Sequence, residues 1–513
     1  MNFKKLSFFL GALSLSMVFS VNSAVAQTVV SGGDSKNAPV VKEEEPKIVK
    51  FFVENKKQVE ELANAGIDIA EVRKDYVIAV ITDSALKSLG NRAVRYQIVN
   101  ENANSLLSKR AVSAKYHSFE QIEKYLNDCV ANYPDICKLE VIGNSCENRP
   151  IYGLKISGNV NREQKKPSGL IMGLHHSREW ISAEVPVALI KYLTENYSVD
   201  AEVKKLVDER NIWVVPVVNP DGFIYSQKNS KMWRKNRRLN ADKTYGVDPN
   251  RNYGYQWGNV GCSNSTGADT YHGTGPFSEP CTQAIKKLAE REHFIGDITF
   301  HSYSELILYP YSYASQAYAK DDKILKQLAV DMAKLNGYRP QKSSDLYPSM
   351  GDTDDFMYGA LGSLSFTIEL GSQFVPSDSE VDKICDGNVK ACVYLLKQIG
   401  SVHASTHPDF SSKISRAIAT YTYRADSSRG LDNDAKTELI NILNPANDSN
   451  GKNFDEFMAE VSKIDVNSKK ILMPILKEVK NMYMQDIINK AGNSKSVLKA
   501  IEKLQAEIHH VAE

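Results

Sequence analysis

The segment His175-His176-Ser177-Arg178-Glu179-Trp180 sets an imidazole and a carboxylate three residues apart, a spacing that lets both reach one metal ion. Surface helices produce His-x-x-Glu by chance, so the pair needs support from the rest of the chain. A catalytic zinc ion in a hydrolase is held by three protein ligands and keeps a fourth position for water. His176 and Glu179 supply two. His301, directly after the apolar run Asp297–Phe300, is the candidate third. His175 competes with His176. Neighbours on an extended segment point opposite ways, so one of them faces the metal, and the distance to Glu179 leaves the choice open. His117, His272, His293, His403 and His407 lack such partners and read as structural or surface residues. His509 and His510 read as a solvated face.

A second carboxylate stands on Leu364-Ser365-Phe366-Thr367-Ile368-Glu369-Leu370. Leu364, Phe366, Ile368 and Leu370 share one face of this strand, and Glu369 lies on the other with Thr367 and Ser365. Burying a carboxylate on such a strand is costly unless it is paired or functional. As a general base it would take a proton from the attacking water and pass it to the leaving amine. The cationic run Lys231-Met232-Trp233-Arg234-Lys235-Asn236-Arg237-Arg238 would ordinarily be solvated, and Asp248-Pro249-Asn250-Arg251-Asn252-Tyr253 would ordinarily be a turn. Beside a zinc site, one guanidinium can grip a terminal carboxylate with two bonds and another can meet a developing oxyanion.

These residues need elements to hold them. From Tyr116 to about Ala404 strands alternate with helices, which predicts a mixed, largely parallel α/β sheet flanked by helices. Its strand candidates are Leu170–Leu174, Ile212–Val218, Asp297–Phe300 and Leu364–Leu370, with a helix at 182–197. The candidate chemistry falls within or just after these strands, where open α/β sheets bind ligands. The domain reading is a leader 1–26, a linker 27–46, an α+β module 47–112, a catalytic domain 113–405 and a helical extension 406–513. Within the module, Ile48–Val53 and Tyr76–Thr82 predict strands and Lys56–Ala65 and Asp83–Leu89 predict helices. Glu101–Ala114, with its dibasic Lys109-Arg110, reads as weakly structured and open to proteases. The extension predicts helices at 410–422, 434–444, 453–463, 467–489 and 494–511.

Composition narrows the partners. At 513 residues the chain exceeds what one core supports, and it is 42% hydrophobic and 24% charged. Its 63 basic and 62 acidic residues give a net charge of +1, which offers no signal for nucleic acid or a membrane surface. Lys4 and Lys5, the apolar run Leu6–Phe19 and Ala24-Val25-Ala26 fit a cleaved signal peptide, so the expected location is secreted or periplasmic with no membrane span. Seven cysteines in an oxidising compartment make Cys262–Cys281 and Cys385–Cys392 plausible local disulfides, with one thiol left over.

Taken together, the motifs resemble the zinc metallocarboxypeptidases of the A, B and T types. Gly143-Asn144-Ser145, Arg149-Pro150-Ile151-Tyr152, His176-Ser177-Arg178-Glu179-Trp180, Asn219-Pro220-Asp221-Gly222, Trp233-Arg234-Lys235, Asn250-Arg251-Asn252, His301-Ser302-Tyr303 and Phe366-Thr367-Ile368-Glu369 follow in the family's order. The resemblance implies one Zn2+ held by His176, Glu179 and His301, with His175 left as the non-ligand. It implies Glu369 as general base, Arg234 on the oxyanion, and Asn250 and Arg251 on the substrate's terminal carboxylate. Tyr347, 22 residues before Glu369, matches a mobile tyrosine that closes over that carboxylate. Asp354 aligns with the acidic pocket residue of the B-type enzymes, which remove Lys and Arg. Asp352 resembles an aspartate of the T-type enzymes, which have mixed specificity. The module 47–112 resembles a pro-segment in position and size, so an activating protease cutting near Lys109-Arg110 is expected.

The expected activity is therefore release of C-terminal residues from peptides or proteins, with Lys or Arg preferred. The alternatives are mixed specificity, a cell-wall peptide peptidase on the same fold, and an inactive binding module. Loss of Glu369 or of a zinc ligand would mark the last, and all are present.

Overall fold

The computed structural model describes residues 44–90, 94–108, 115–162, 166–405, 418, 433–444, 452–462, 466–490 and scattered positions from 502 to 509. The expected leader, most of the linker, the Lys109-Arg110 pair and nearly all of 410–422 lie outside them, as does most of 494–511.

In the N-terminal module, β1 (Lys47–Phe52), β2 (Asp68–Val72), β3 (Tyr76–Ile81) and β4 (Tyr96–Asn100) form an antiparallel sheet in the order β2-β3-β1-β4. Alternate residues Val49 and Phe51 of β1 and Val77 and Ala79 of β3 bury against Val59 and Leu62 of the helix Lys56–Asn64. Asn55 begins that helix by accepting the Gln58 N–H at 3.1 Å. The two expected strands and two helices form; β2 and β4 are additional, because their short, half-polar runs carry little apolar pattern.

The flanks of the module are more ordered than composition suggested. Ala103–Ser108 is a short helix, with the Asn102 side chain accepting the Ser105 N–H at 3.1 Å. Buried Ala103 donates its N–H to the Pro46 carbonyl at 2.7 Å, and Glu44 accepts the Ser84 N–H at 2.9 Å. These bonds tie the end of the acidic linker to the module.

The larger unit is built on β5 (Cys137–Asn144), β6 (Pro150–Ile156), β7 (Ser168–Gly173), β8 (Asn211–Val215), β9 (Gly296–His301), β10 (Leu306–Tyr309), β11 (Arg339–Lys342) and β12 (Leu364–Glu369). They form one eight-stranded mixed sheet in the order β11-β10-β12-β9-β7-β8-β6-β5. Its centre, β8-β7-β9-β12, is parallel, while β5-β6-β8 and β10-β12 pair antiparallel. Helices cover both faces. Ile171, Ile212 and Val214 pack toward the helices Ile181–Asn196 and Asp378–Gln398, while Leu170, Met172, Trp213 and Val215 pack toward Pro280–Glu292. Strands buried on both sides carry continuous apolar runs, which is why these were legible as strands. The expected mixed α/β sheet with an α+β module and a helical extension is the architecture found.

Both expected disulfides are absent: all seven cysteines are free thiols. Cys385 and Cys392 lie on one helix seven residues apart, about 10 Å along its axis, which exceeds any disulfide span. Cys262 instead directs its thiol to the Gly258 carbonyl at 2.8 Å, and Cys281 is packed in the core beneath the sheet. In the extension, helices Asn433–Ile442, Lys452–Val461 and Val466–Lys490 enclose a separate core that includes Leu439, Phe454, Phe457, Leu472, Ile475 and Val479. Among the described residues no helix is long and apolar enough to cross a membrane.

Candidate active site

The site begins where β7 stops. A side chain at Gly173 would place its Cβ 2.0 Å from the Ser182 carbonyl oxygen, so the following helix approaches only because this residue is glycine. Leu174 then turns the chain with a left-handed φ of 58°, a conformation costing a non-glycine residue about 1 kcal/mol. Ser182 Oγ accepts its N–H at 3.1 Å, and its carbonyl accepts the Asn219 N–H at 3.1 Å. The turn delivers His175 and His176 to the carboxyl end of the sheet.

Two staples join this loop to the cationic segment. Asn219 Nδ2 donates to the carbonyls of His175 at 3.0 Å and Lys235 at 3.2 Å, while its Oδ1 caps the helix Pro220–Lys228. Ser177 donates its N–H to the Arg234 carbonyl at 3.0 Å and its hydroxyl to the Trp233 carbonyl at 2.8 Å. Arg234 is thereby carried to the same cleft.

Three side chains converge there. His176 Nδ1 lies 2.9 Å from one Glu179 oxygen, and His301 Nδ1 lies 3.0 Å from the other and 3.1 Å from His176 Nδ1. All three are buried, and their ligand atoms fall within 4.8 Å of one another. His176 Nε2 faces Asp248 Oδ1 at 3.1 Å, which holds the ring proton on that nitrogen and leaves the Nδ1 lone pair toward the cluster. Two imidazole nitrogens and a carboxylate at these separations fit the donor set of a tetrahedral zinc site. Burial alone would raise the Glu179 pKa, but the neighbouring His176 and His301 outweigh it and hold the carboxyl below its ordinary value. Burial lowers His301, with Glu179 opposing.

The other expected residues surround the same cleft. In the parallel pairing of β9 and β12, Glu369 is the register partner of His301, so the sheet itself sets this carboxylate beside the third metal-site residue. Burial raises Glu369 well above the usual carboxylate range, Glu179 adds to the shift, and Arg234 and Arg251 oppose it. Arg234 gives Nε and Nη2 to Asp248 Oδ2 at 3.0 and 2.9 Å. Arg251 is anchored by the Gly261 and Asn250 carbonyls at 3.0 and 2.7 Å and reaches the Tyr347 hydroxyl at 3.5 Å. Asn250 Oδ1 accepts both the N–H and the hydroxyl of Thr353.

Asp354 lies in the cleft lining, buried, with Ser343 Oγ donating to it at 2.7 Å. Asp352, Asp354 and Asp355 form a second carboxylate cluster. Burial pushes Asp354 far upward, and its two acidic neighbours add to that.

His175 is buried beside the metal-site residues but bonds elsewhere, to Tyr253 and Thr299. Asp248, read from sequence as part of a turn, is the residue that sequence reasoning missed. Asp-Pro-Asn is ordinary turn chemistry, and nothing local announces that both carboxylate oxygens serve the site.

The cleft also has a roof. Asp68, at the start of β2, places Oδ2 2.5 Å from Arg178 Nη2 and Oδ1 3.3 Å from Arg234 Nη1. Ile69, Ala70 and Glu71 line the same cleft as His176, Glu179 and Glu369. Tyr347 packs against the apolar core of the module.

A zinc-centred hydrolase site on a mixed α/β sheet is the class these features define. Residues 122–391 match the model of the zinc carboxypeptidase family, and the chain belongs to that family. It is 31% identical over 334 residues to rat carboxypeptidase B, covering 61% of this chain and 80% of that protein. To pig carboxypeptidase A1 it is 35% identical over 286 residues, covering 52% and 68%. The crystal structure of thrombin activatable fibrinolysis inhibitor superposes with a TM-score of 0.59 at 27% identity, covering 69% of this chain and 99% of the other. The chain is thus a zinc metallocarboxypeptidase.

Proposed function

We propose that this protein removes single residues from the C-termini of peptides, prefers Lys and Arg, and is held inactive by its N-terminal module until that module is cut away. His176, Glu179 and His301 hold the metal in this reading. Bound there, zinc supplies Lewis-acid polarisation of water and of the scissile carbonyl. Asn250 and Arg251 grip the terminal carboxylate, which restricts cleavage to the last bond. Arg234 meets the charge that develops on the carbonyl oxygen. Glu369 accepts a proton from the attacking water and returns it to the leaving amine, and its buried surroundings favour a carboxylate that takes up a proton readily. Tyr347 closes over the bound end once the module no longer packs on it.

The observation that carries the preference is the cluster of Asp352, Asp354 and Asp355. Among the described residues no basic side chain forms an ion pair with it, so the cation it lacks is the one a C-terminal Lys or Arg would bring. An apolar side chain would leave these carboxylates with hydrogen bonds from Ser343, Ser349 and Ser312 but with no opposite charge. Export through a cleaved leader and activation near Lys109-Arg110 belong to the same reading. Asp68, set between Arg178 and Arg234, supports the inhibitory role of the module.

The test is release of the last residue from matched peptides ending in Arg and Phe, with and without a zinc chelator, before and after limited cleavage near Arg110. Chelator-sensitive release of Arg, increased by cleavage, is expected. Equal release of both residues would favour mixed specificity, for which Asp352 beside Asp354 is the supporting feature. No release in any arm would sink the reading.

A further inference from the structure

His175 is wholly buried next to a proposed metal ligand, yet its ring makes bonds only to hydroxyls. Nδ1 lies 3.1 Å from Thr299 Oγ1, and Nε2 lies 2.8 Å from the Tyr253 hydroxyl and 3.3 Å from Thr353 Oγ1. Thr353 in turn spends both its donors on one atom: its N–H and its hydroxyl reach Asn250 Oδ1 at 2.9 and 2.7 Å. A carbonyl oxygen that accepts two donors has both lone pairs filled. The Asn250 carboxamide is therefore fixed with its oxygen toward Thr353 and its NH2 group turned away. With its proton given to Asn250, Thr353 Oγ1 needs a donor, and the Tyr253 hydroxyl and His175 Nε2 are the groups beside it.

We propose that His175 is a positioning residue for substrate binding, which acts through Tyr253 and Thr353 to hold the Asn250 amide with its NH2 group toward the substrate's terminal carboxylate. This rests on the reading of Asn250 and Arg251 as the carboxylate clamp. With the ring proton on Nε2, the chain runs one way. The Thr299 hydroxyl donates to Nδ1, the protonated Nε2 lies 2.8 Å from the Tyr253 oxygen and 3.3 Å from Thr353 Oγ1, which it can serve as donor, and Thr353 donates to Asn250. The carboxamide then has one favoured orientation. Without the imidazole, Tyr253 and Thr353 are free to rotate their hydroxyls. The amide oxygen then keeps the Thr353 N–H but loses its second fixed donor, so the carboxamide is held less tightly in the orientation that presents its NH2 group.

The experiment compares the parent, His175→Leu, Asn250→Ala and the double variant, all as the active form of the full chain and prepared alike. It measures KM and kcat on one peptide, binding of free arginine as a carboxylate probe, binding of acetohydroxamate as a metal-directed probe that carries no carboxylate, and zinc content. In His175→Leu, KM and the dissociation constant for arginine should rise about fivefold, the effect of losing one hydrogen bond's worth of orientation. The kcat, hydroxamate binding and zinc content should stay as in the parent. Adding His175→Leu to Asn250→Ala should change nothing further. Weakened hydroxamate binding or zinc loss in His175→Leu would overturn the proposal, because His175 would then act through His176. A full extra effect in the double variant would overturn it too. If Asn250→Ala leaves KM unchanged, the clamp reading fails and the proposal with it. If Asn250→Ala raises KM but His175→Leu does not, the proposal fails alone. Should His175→Leu not fold, Thr353→Val cuts the same chain at its last link before Asn250 and must show the same selective rise in KM, or the proposal is wrong.

Discussion

Asp68 and Arg234 face each other at 3.3 Å, with both side chains almost wholly buried, although one belongs to the N-terminal module and the other to the segment that follows the helix Pro220–Lys228. The same carboxylate holds Arg178 at 2.5 Å. A guanidinium engaged in this way is not available to an oxyanion. Asp68→Ala in the uncut chain is therefore expected to raise hydrolysis about tenfold or more, equivalent to about 1.4 kcal/mol of lost docking. Rates on one peptide before and after cleavage near Arg110 check this. An uncut variant as slow as the uncut parent would count against restraint by Asp68.

Asp248 serves two residues with its two oxygens, His176 through Oδ1 and Arg234 through Oδ2. Asp248→Asn keeps the shape but removes the charge that orients the imidazole. Zinc affinity should fall about 10- to 100-fold, read by titration against a chelator of known affinity. Unchanged zinc retention would show that His176 needs no such support.

Asp354→Asn tests the pocket. The loss should fall on Arg-ending peptides, with kcat/KM lower by about 10²- to 10³-fold, the cost of removing one partner from a buried charge pair. Phe-ending peptides should be affected little or should improve. A uniform loss on both would assign Asp354 to structure rather than to selection.

Asp297 gives a stability prediction away from the metal. It is buried in β9, accepts the Ser363 and Ser365 hydroxyls at 2.6 and 2.7 Å, and burial, opposed by those bonds, raises its pKa to about 7. Below about pH 4 both folded and unfolded chains hold this proton, and neither state is favoured. As pH rises the unfolded chain ionises first, so this group's contribution declines until about pH 7 and is level above it. The Tm of Asp297→Asn relative to the parent should therefore climb between about pH 4 and 7 and then hold constant. A difference that does not vary with pH would mean that Asp297 titrates alike in both states.

Much of this protein was legible in one dimension, and the reason is local. The strands around Leu170 and Ile212 are apolar on both faces because helices cover both sides of the sheet, and those around Ile298 and Phe366 alternate apolar with polar, so both kinds of run stand out without a structure. His176 and Glu179 are three residues apart on one turn, so their pairing is a property of the chain. The period of two on β12 put Glu369 opposite the apolar face, and the register beside His301 follows once β9 and β12 pair. His301 stood out by its place directly after the strand Asp297–Phe300, and the family resemblance carried by the ordered motifs brought in Arg234, Asn250, Arg251 and Tyr347.

What the sequence left open depends on groups far apart in the chain. Asp68 reads as an ordinary residue at the start of a short half-polar strand, and its role exists only because β2 lies over Arg178 and Arg234. Asp248 looks like a turn residue until β7 and the Arg234 segment are folded against it. The cysteine pairings failed because intervals in sequence carry no information about distance, and a helix keeps Cys385 from Cys392. His175 was distinguishable from His176 by analogy alone. Only the packed core, where Thr299, Tyr253 and Thr353 meet its ring, decides which way each imidazole turns, because a buried polar atom goes where a partner can satisfy it.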